Sequence, residues 1–143
     1  MTAGDPYHLA RFVEAQDAGG TFEHALNELR HGLKTSHWMW FVFPQMAGLG
    51  RSAMSRHYAI SSLDEARAYL AHPVLGPRLV AAAAVLATGA PARAEEVLGE
   101  LDAQKLRSSM TLFARAAPDE PVFWQVLDRQ FAGQADPATD RLV

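Results

Sequence analysis

Apolar residues recur at three- and four-residue steps along most of this chain, a spacing typical of amphipathic helices. Two clear examples are the helices that we predict at residues 22–33 and 103–116. Their buried stripes are Phe22, Ala25, Leu26 and Leu29 in the first helix, and Leu106, Met110 and Phe113 in the second. Each stripe predicts one helix face that packs against a common core.

Capping residues and helix breakers separate these apolar stripes. Asp5-Pro6 predicts an N-cap followed by a proline in the first helical turn, and Ser62 with Glu65 predicts a capping box. Asp102 is the predicted N-cap of the helix at 103–116, and a short helix is predicted to begin at Pro91, ahead of that longer helix. Together these signals predict one compact, all-α, multi-helix domain over residues 1–143.

The segment from Ser36 to Phe43, SHWMWFVF, carries two tryptophans, two phenylalanines and a histidine in eight positions. Aromatic residues and valine also favour strands, but we predict a short helix that ends before Pro44. On any regular element Trp38 and Trp40 face different directions. We therefore expect that the two indoles are not both buried in the core, and that this segment forms the wall of a cleft.

Composition narrows the classes of function. The chain has 143 residues, 49% of them hydrophobic, and a formal net charge of −3. This charge argues against a domain that holds bulk nucleic acid by its phosphates. The chain has no cysteine, which excludes disulfides and thiolate catalysis, and no HExxH spacing that would predict a metal site. The longest apolar run is far shorter than the ~20 residues of a membrane span, and no signal peptide is apparent. We expect a cytoplasmic protein without a metal, a cofactor or a membrane partner.

The first group of candidate site residues follows from the aromatic segment. Aromatic faces stack on flat rings with little demand on orientation, and His37 is a candidate general acid or base. The Gly48-to-Ser52 loop and Arg56 predict a place for a phosphate or carboxylate, although a simple turn with a Ser52 cap is the alternative. The predicted ligand-binding residues here are Trp38, Trp40, Gln45, Gly48, Gly50, Ser52, Arg56 and Tyr58.

The second group lies at residues 102–111, and the predicted ligand-binding residues here are Ser108, Ser109 and Thr111. On a helix, Asp102, Lys105 and Ser109 project from roughly one side, and Ser108 and Thr111 from an adjoining side. A carboxylate and an ammonium on one wall can orient water and stabilise developing charge, so Asp102 and Lys105 are candidate catalytic residues with His37. The alternative is structural: Asp102 caps the helix and pairs with Lys105.

Several longer motifs, in one order along the chain, resemble a known family. They are RFVEAQ at 11–16, SHWMWFVFPQ at 36–45, GLG at 48–50, HPVLGPRL at 72–79 and KLRSSMTLF at 105–113. The chain resembles family 1810 of the domains of unknown function, small bacterial all-helical proteins often mislabelled calpastatin. This resemblance implies an all-α domain with a cleft and no established activity. The fold also resembles, more distantly, the helical NADAR domains, which act on ADP-ribose-type N-glycosides; that likeness is an analogy of fold.

Three hypotheses follow for the function. The leading one is an enzyme that hydrolyses an N-glycosidic bond in a small nucleotide-like or ADP-ribose-type ligand, with Asp102, Lys105 and His37 as catalytic residues. The second is a module that binds a nucleotide or a partner without chemistry. The third is that both groups of candidate residues serve only the fold, as a helix cap, an ion pair and core side chains. The sequence makes no prediction of oligomeric state.

Overall fold

The structure, a computed structural model, describes residues 4–89 and 93–143, and helices make up most of this part of the chain. They are α1 (Ala10–Asp17), α2 (Thr21–His31), α3 (Met39–Val42), α4 (Ala53–His57), α5 (Leu63–Ala71), α6 (Leu75–Ala84), α7 (Ala94–Leu98), α8 (Glu100–Ala116), α9 (Pro121–Phe131) and α10 (Pro137–Leu142). A 3-10 turn, Ala18–Gly20, joins α1 to α2, and a π-helical turn, Val85–Gly89, follows α6. The prediction of an all-α fold is confirmed.

Helix α8 lies at the centre of the fold and packs against α5, α7, α9 and α10. Its predicted apolar stripe, Leu106, Met110 and Phe113, is fully buried. The Phe113 ring lies 5.4 Å from Tyr69 of α5 and 5.8 Å from Phe123 of α9, centroid to centroid. Because burying one such side chain contributes about 1.5–3 kcal/mol, this stripe holds the neighbouring helices around α8.

The apolar stripe predicted at residues 22–33 is buried as well. It lies on α2, which ends at His31 where Gly32 adopts a left-handed conformation with φ of 78°. Only glycine takes this conformation at little cost, so Gly32 is a C-terminal stop. The chain therefore reverses after α2 and returns toward the last turn of that helix.

Helix starts agree with the capping predictions in part. The Ser62 Oγ accepts from the Glu65 amide at 3.0 Å, as expected for a capping box, but Glu65 accepts from the amide and hydroxyl of Ser61. The predicted cap at Asp102 is wrong, because α8 begins at Glu100 after Gly99. Asp102 therefore lies in the first turn of the helix, where a negative charge is stabilised by the helix dipole.

The first predicted helix also begins later than its cap suggests. The Asp5 carboxylate accepts from the amides of Leu9 and Ala10 at 2.8 and 2.9 Å, but helical structure starts only at Ala10. His8 interrupts the segment with a positive φ of 52°. The predicted helix start at Pro91 lies outside the described residues.

The short helix α3 ends before Pro44, as predicted. After Pro44 the chain forms an isolated parallel bridge between Met46 and Ile60, and the loop and α4 lie between these two residues. Within the described residues, no single helix is long and apolar enough to cross a membrane. The two helical stretches Leu63–Ala71 and Leu75–Thr88 pass that test when they are counted together, but the chain bends by 92° between them.

Candidate functional site

Glu28, near the end of α2, anchors the segment that leads into α3. Its carboxylate accepts hydrogen bonds from the amides of Thr35 and Ser36 at 2.8 and 3.1 Å. It also accepts from the Ser36 hydroxyl at 2.6 Å and from the Trp38 Nε1 at 3.0 Å. Burial alone would raise the pKa of Glu28, but the hydrogen bonds from Ser36, Trp38 and Thr35 outweigh it and lower the pKa to about 2. The carboxylate is therefore ionised and fixes the orientation of the first indole.

Lys34 joins this segment to the first turn of α8. Its backbone amide donates to the carbonyl of Val97 at 2.7 Å. Its Nζ lies 2.9 Å from the Oδ2 of Asp102 and 5.2 Å from the ring centroid of Trp38. The side chains of Lys34 and Asp102 are only 11% and 18% exposed, so this ion pair is partly shielded from water.

Lys105 approaches the same carboxylate from the next turn of α8. Its Nζ lies 3.2 Å from the Oδ1 of Asp102 and 5.1 Å from the ring centroid of Trp40. Asp102 is thus held between two ammonium groups, each of which lies over an indole, an arrangement that cation–π attraction stabilises. The cluster of Lys34, Trp38, Trp40, Asp102 and Lys105 is called the Asp102 cluster below.

The Asp102 cluster carries one net positive charge and a carboxylate held in one orientation. Four of its members, Trp38, Trp40, Asp102 and Lys105, were predicted from sequence as site residues, and the structure brings them together around Lys34. An anionic ligand would be attracted to the two ammonium groups, while the carboxylate would lie beside its uncharged part. That the cluster opens into a cleft remains a prediction.

The two tryptophans predicted to stack on a ligand, Trp38 and Trp40, differ in how exposed they are. Trp38 is 0% exposed, so its indole belongs to the core, and the prediction that it stacks on a ligand does not fit this geometry. Trp40 is only partly buried, and His37, three residues earlier, is exposed. Of the two indoles, that of Trp40 is therefore the one accessible enough to stack on a flat ring, and that it does so remains a prediction. Tyr58, also partly buried, packs on the rings of Phe12 and Phe41 at 5.7 and 5.3 Å.

The hydroxyls predicted on α8 hold the C-terminal helix in place. The Ser108 Oγ donates to the Oδ2 of Asp136 at 2.8 Å, and the Thr111 Oγ1 accepts from the Asp136 amide at 2.8 Å. Asp136 is the N-cap of α10 and accepts from the Thr139 amide. Burial would raise the pKa of Asp136, but hydrogen bonds from Thr139 and Ser108 outweigh it and lower the pKa. Ser108 and Thr111 are therefore accounted for by the structural hypothesis.

Ser109 differs from its neighbours. The side chain is 0% exposed, and among the described residues its Oγ is a buried polar atom without a hydrogen-bond partner. The Thr111 hydroxyl donates to the carbonyl four residues earlier at 2.8 Å, whereas the Ser109 hydroxyl forms no such bond. Ser109 lies one helical turn after Lys105 on the same side of α8. That its hydroxyl contacts a ligand remains a prediction.

The remaining predicted ligand-binding residues lie around a separate hollow. Gln45, Gly48, Gly50 and Arg56 line a cavity of about 130 Å³. Ser52 is the N-cap of α4, where its Oγ accepts from the Ser55 amide at 3.1 Å. None of the members of the Asp102 cluster lines this cavity.

Sequence reasoning missed Glu28 and Lys34. By residue type, Glu28 is an ordinary charged residue on α2, and Lys34 is an ordinary loop residue. Gly32 is the sequence signal that could have indicated both residues. A glycine just after a helix turns the following residues back onto the last turn of that helix. Among the described residues, no three histidine, aspartate or glutamate side chains converge as metal ligands would.

Comparisons with known proteins place the chain among relatives of similar structure. The family model described as "Protein of unknown function (DUF1810)" matches residues 6–143. The crystal structure of the conserved hypothetical protein Rv1873 from Mycobacterium tuberculosis is similar, with 45% sequence identity and a TM-score of 0.93. The match covers 97% of this chain and 98% of that one. The comparison with curated proteins finds no match.

Proposed function

The chain belongs to the DUF1810 family, and we propose that it hydrolyses an N-glycosidic bond in a nucleotide-like or ADP-ribose-type ligand. One observation carries this proposal: the Asp102 carboxylate lies between the ammonium groups of Lys34 and Lys105, beside the partly exposed indole of Trp40. Such a site offers a flat surface, positive charge and a carboxylate within one side-chain length of each other.

Binding follows from the charges and the indole. A base or nicotinamide ring would stack on Trp40, since stacking tolerates many flat rings. The phosphates of the ligand would be attracted by Lys34 and Lys105, whose charges exceed that of Asp102 by one. Trp38 and Glu28 would act indirectly, by holding the Lys34 segment against α8.

The chemical step needs a carboxylate near the anomeric carbon. Hydrolysis of an N-glycoside forms an oxocarbenium-like transition state, and Asp102 would stabilise this positive charge or orient the attacking water. When a phosphate draws one ammonium away, one carboxylate oxygen is released toward the sugar. The water oxygen then bonds to the anomeric carbon and gives up a proton to the Asp102 carboxylate or to solvent, while the carbon–nitrogen bond breaks. A purine or pyrimidine takes up a proton as it leaves, whereas nicotinamide, which is cationic in the substrate, leaves as a neutral molecule without one.

The proton for the leaving base would come from Lys105 or His37. Lys105 lies over the Trp40 ring, on which the base would stack, so that its ammonium is close to the leaving nitrogen. His37 is exposed three residues before Trp40. Either group acts as a general acid, a role that typically contributes roughly 10²–10⁴-fold to a rate.

A non-catalytic binding module is the second candidate function. It is favoured by the fact that both carboxylate oxygens of Asp102 already have an ammonium partner. In that case the cluster recognises the ligand, and Asp102 serves only to orient the two lysines.

One experiment separates these functions. The protein is incubated with nucleosides, NAD and N-linked ADP-ribose conjugates, and released base or ADP-ribose is quantified by chromatography. Melting temperatures are measured with the same compounds, since only a ligand of the folded protein raises them. Turnover of one substrate supports the hydrolase, and a thermal shift without turnover supports the binding module. Neither effect with any compound would contradict both.

A further inference from the structure

We infer that the hollow lined by Gln45, Gly48, Gly50, Ser55 and Arg56, called the Arg56 hollow below, binds a phosphate group. This inference goes beyond the proposed hydrolysis, because the Asp102 cluster contributes no residue to the hollow. The ligand class is inorganic phosphate or the phosphate of an ester, whose oxygens present the same chemistry to the protein.

The Arg56 hollow is positively charged because of one side chain, that of Arg56. Its other lining residues are Met46, Ala47 and Ala59, so Arg56 is the ionisable group among them. Within the part of the chain that the structure describes, Arg56 is exposed and forms no ion pair with a carboxylate. A guanidinium that has not been neutralised can bind two phosphate oxygens at once through parallel N–H donors.

The walls of the Arg56 hollow are fixed by backbone contacts. The Ile60 amide donates to the Gln45 carbonyl at 2.8 Å, and the Ala47 amide donates to the Ile60 carbonyl at 2.8 Å. A Cβ at Gly50 would lie 2.5 Å from the Cβ and Oγ of Ser55, so a side chain there has no room. The loop is therefore close-packed against Ser55.

Arg11 pins the segment that follows Arg56. Its guanidinium donates to the carbonyls of His57 and Ala59 at 2.8 and 2.9 Å, and it forms an ion pair of 3.0 Å with Glu65. The Glu65 side chain is only 3% exposed. Because these contacts already fix the backbone that follows Arg56, binding at the hollow costs little backbone entropy.

Side chains rather than the end of α4 provide the remaining donors. The Ser55 amide at the start of α4 is already bonded to the Ser52 Oγ. The Ser52 hydroxyl donates to the Ser55 Oγ at 2.9 Å, which leaves the hydroxyl hydrogen of Ser55 available for another acceptor. Gln45 also lines the hollow, and its side-chain amide is a neutral donor.

The volume of the hollow limits what enters it. The cavity of about 130 Å³ is small and has room for a compact anion such as a phosphate group. An ester would therefore place only its phosphate in the Arg56 hollow and leave the rest outside.

The test measures the affinity of the wild-type chain for inorganic phosphate by calorimetry, at constant ionic strength maintained with chloride. Arg56→Gln should weaken binding by at least about fivefold, as expected for the loss of one charge-assisted contact. Arg51→Gln is the matched control, because Arg51 is exposed on the same loop but does not line the hollow. It should change the affinity by less than about twofold.

Three further outcomes decide the inference. Absence of phosphate binding in the wild type, together with absence of binding to ribose 5-phosphate, would overturn it, as would equal losses in the two arginine variants. Binding of the ester but not of inorganic phosphate identifies an esterified ligand as the source. Phosphate binding that is weakened in Arg56→Gln but not in Arg51→Gln supports this inference even when no compound of the panel is hydrolysed, so that failure of the proposed hydrolysis and failure of this inference are distinguishable.

Discussion

The Nε1 of Trp38 lies 3.0 Å from the Oε1 of Glu28, so a fully buried indole is held by a carboxylate from the preceding helix. The same carboxylate binds the backbone of Thr35 and Ser36. This contact determines how the segment before α3 lies on the protein. It directs Lys34 toward Asp102 and leaves the Trp40 ring on the side of Lys105.

Glu28→Gln should lower the free energy of unfolding at pH 7 by about 2 kcal/mol, because hydrogen bonds to a charged acceptor typically contribute about 1.5–3 kcal/mol each and an amide oxygen recovers part of this. Urea unfolding followed by tryptophan fluorescence measures the change. Glu23→Gln, which alters an exposed residue on the same helix, is the control. Its free energy of unfolding should differ from wild type by less than about 0.5 kcal/mol, as is usual for surface substitutions.

The contribution of Glu28 should also depend on pH. Its pKa in the folded protein is about 2, below the ordinary value of 4.5, so protons bind more readily to the unfolded chain. The stabilisation is complete above pH 4.5 and is lost as the pH falls from 4.5 toward 2. The stability difference between wild type and Glu28→Gln should therefore shrink over this interval. A difference that stays constant from pH 6 to pH 3 would contradict the role of the charged carboxylate.

The two tryptophans should respond differently to replacement. Trp38→Leu should lower the free energy of unfolding by about 3 kcal/mol, because it leaves a cavity and an unpaired Glu28 oxygen. Trp40 is only partly buried, so Trp40→Leu should cost about 1 kcal/mol, yet it should weaken nucleotide binding by about tenfold through loss of stacking. Chemical unfolding and ligand titration measure the two effects. Equal effects of both replacements on stability and affinity would contradict the assignment of Trp40 to the ligand.

The short aromatic helix shows what local pattern can predict. Pro44 predicts its end, and the different directions of Trp38 and Trp40 predict that only one of them is wholly in the core. The sequence does not predict which one, because that depends on Glu28 and Lys34, which reach the indoles only after the reversal at Gly32. Burial of Trp38 is thus a property of the tertiary fold.

The first turn of α8 shows a different reason for error. Asp102 is a good N-cap by residue type, but the helix starts three residues earlier than predicted, at Glu100, because Gly99, with φ of 87°, already ends the preceding helix. The joint position of Asp102 and Lys105 on one side of a helix was predictable from their spacing. Their common partner Trp40 and the ion pair with Lys34 depend on packing between distant segments, and no local pattern indicates them.

The adjacent serines on α8 offer a test of structural against ligand-binding roles. The Ser108 hydroxyl donates to the buried Asp136 carboxylate, so Ser108→Ala should lower the free energy of unfolding by about 1–2 kcal/mol. Ser109→Ala removes a buried hydroxyl without a partner in the described residues, so stability should stay equal or rise by up to about 1 kcal/mol. Thermal and urea unfolding compare the two. A larger loss for Ser109→Ala than for Ser108→Ala would contradict this account of α8.

The most direct test of the proposed hydrolase is the rate of base release by Asp102→Asn, measured with the best substrate and corrected for the folded fraction. The rate should fall by at least about 100-fold, the typical loss when one group that stabilises transition-state charge is removed. Asp64→Asn is the matched control: Asp64 also pairs with a cation three residues later at 3.2 Å, but its side chain is 77% exposed on α5. Its rate should equal that of the wild type. A folded Asp102→Asn protein that releases base at the wild-type rate would contradict a catalytic role of Asp102.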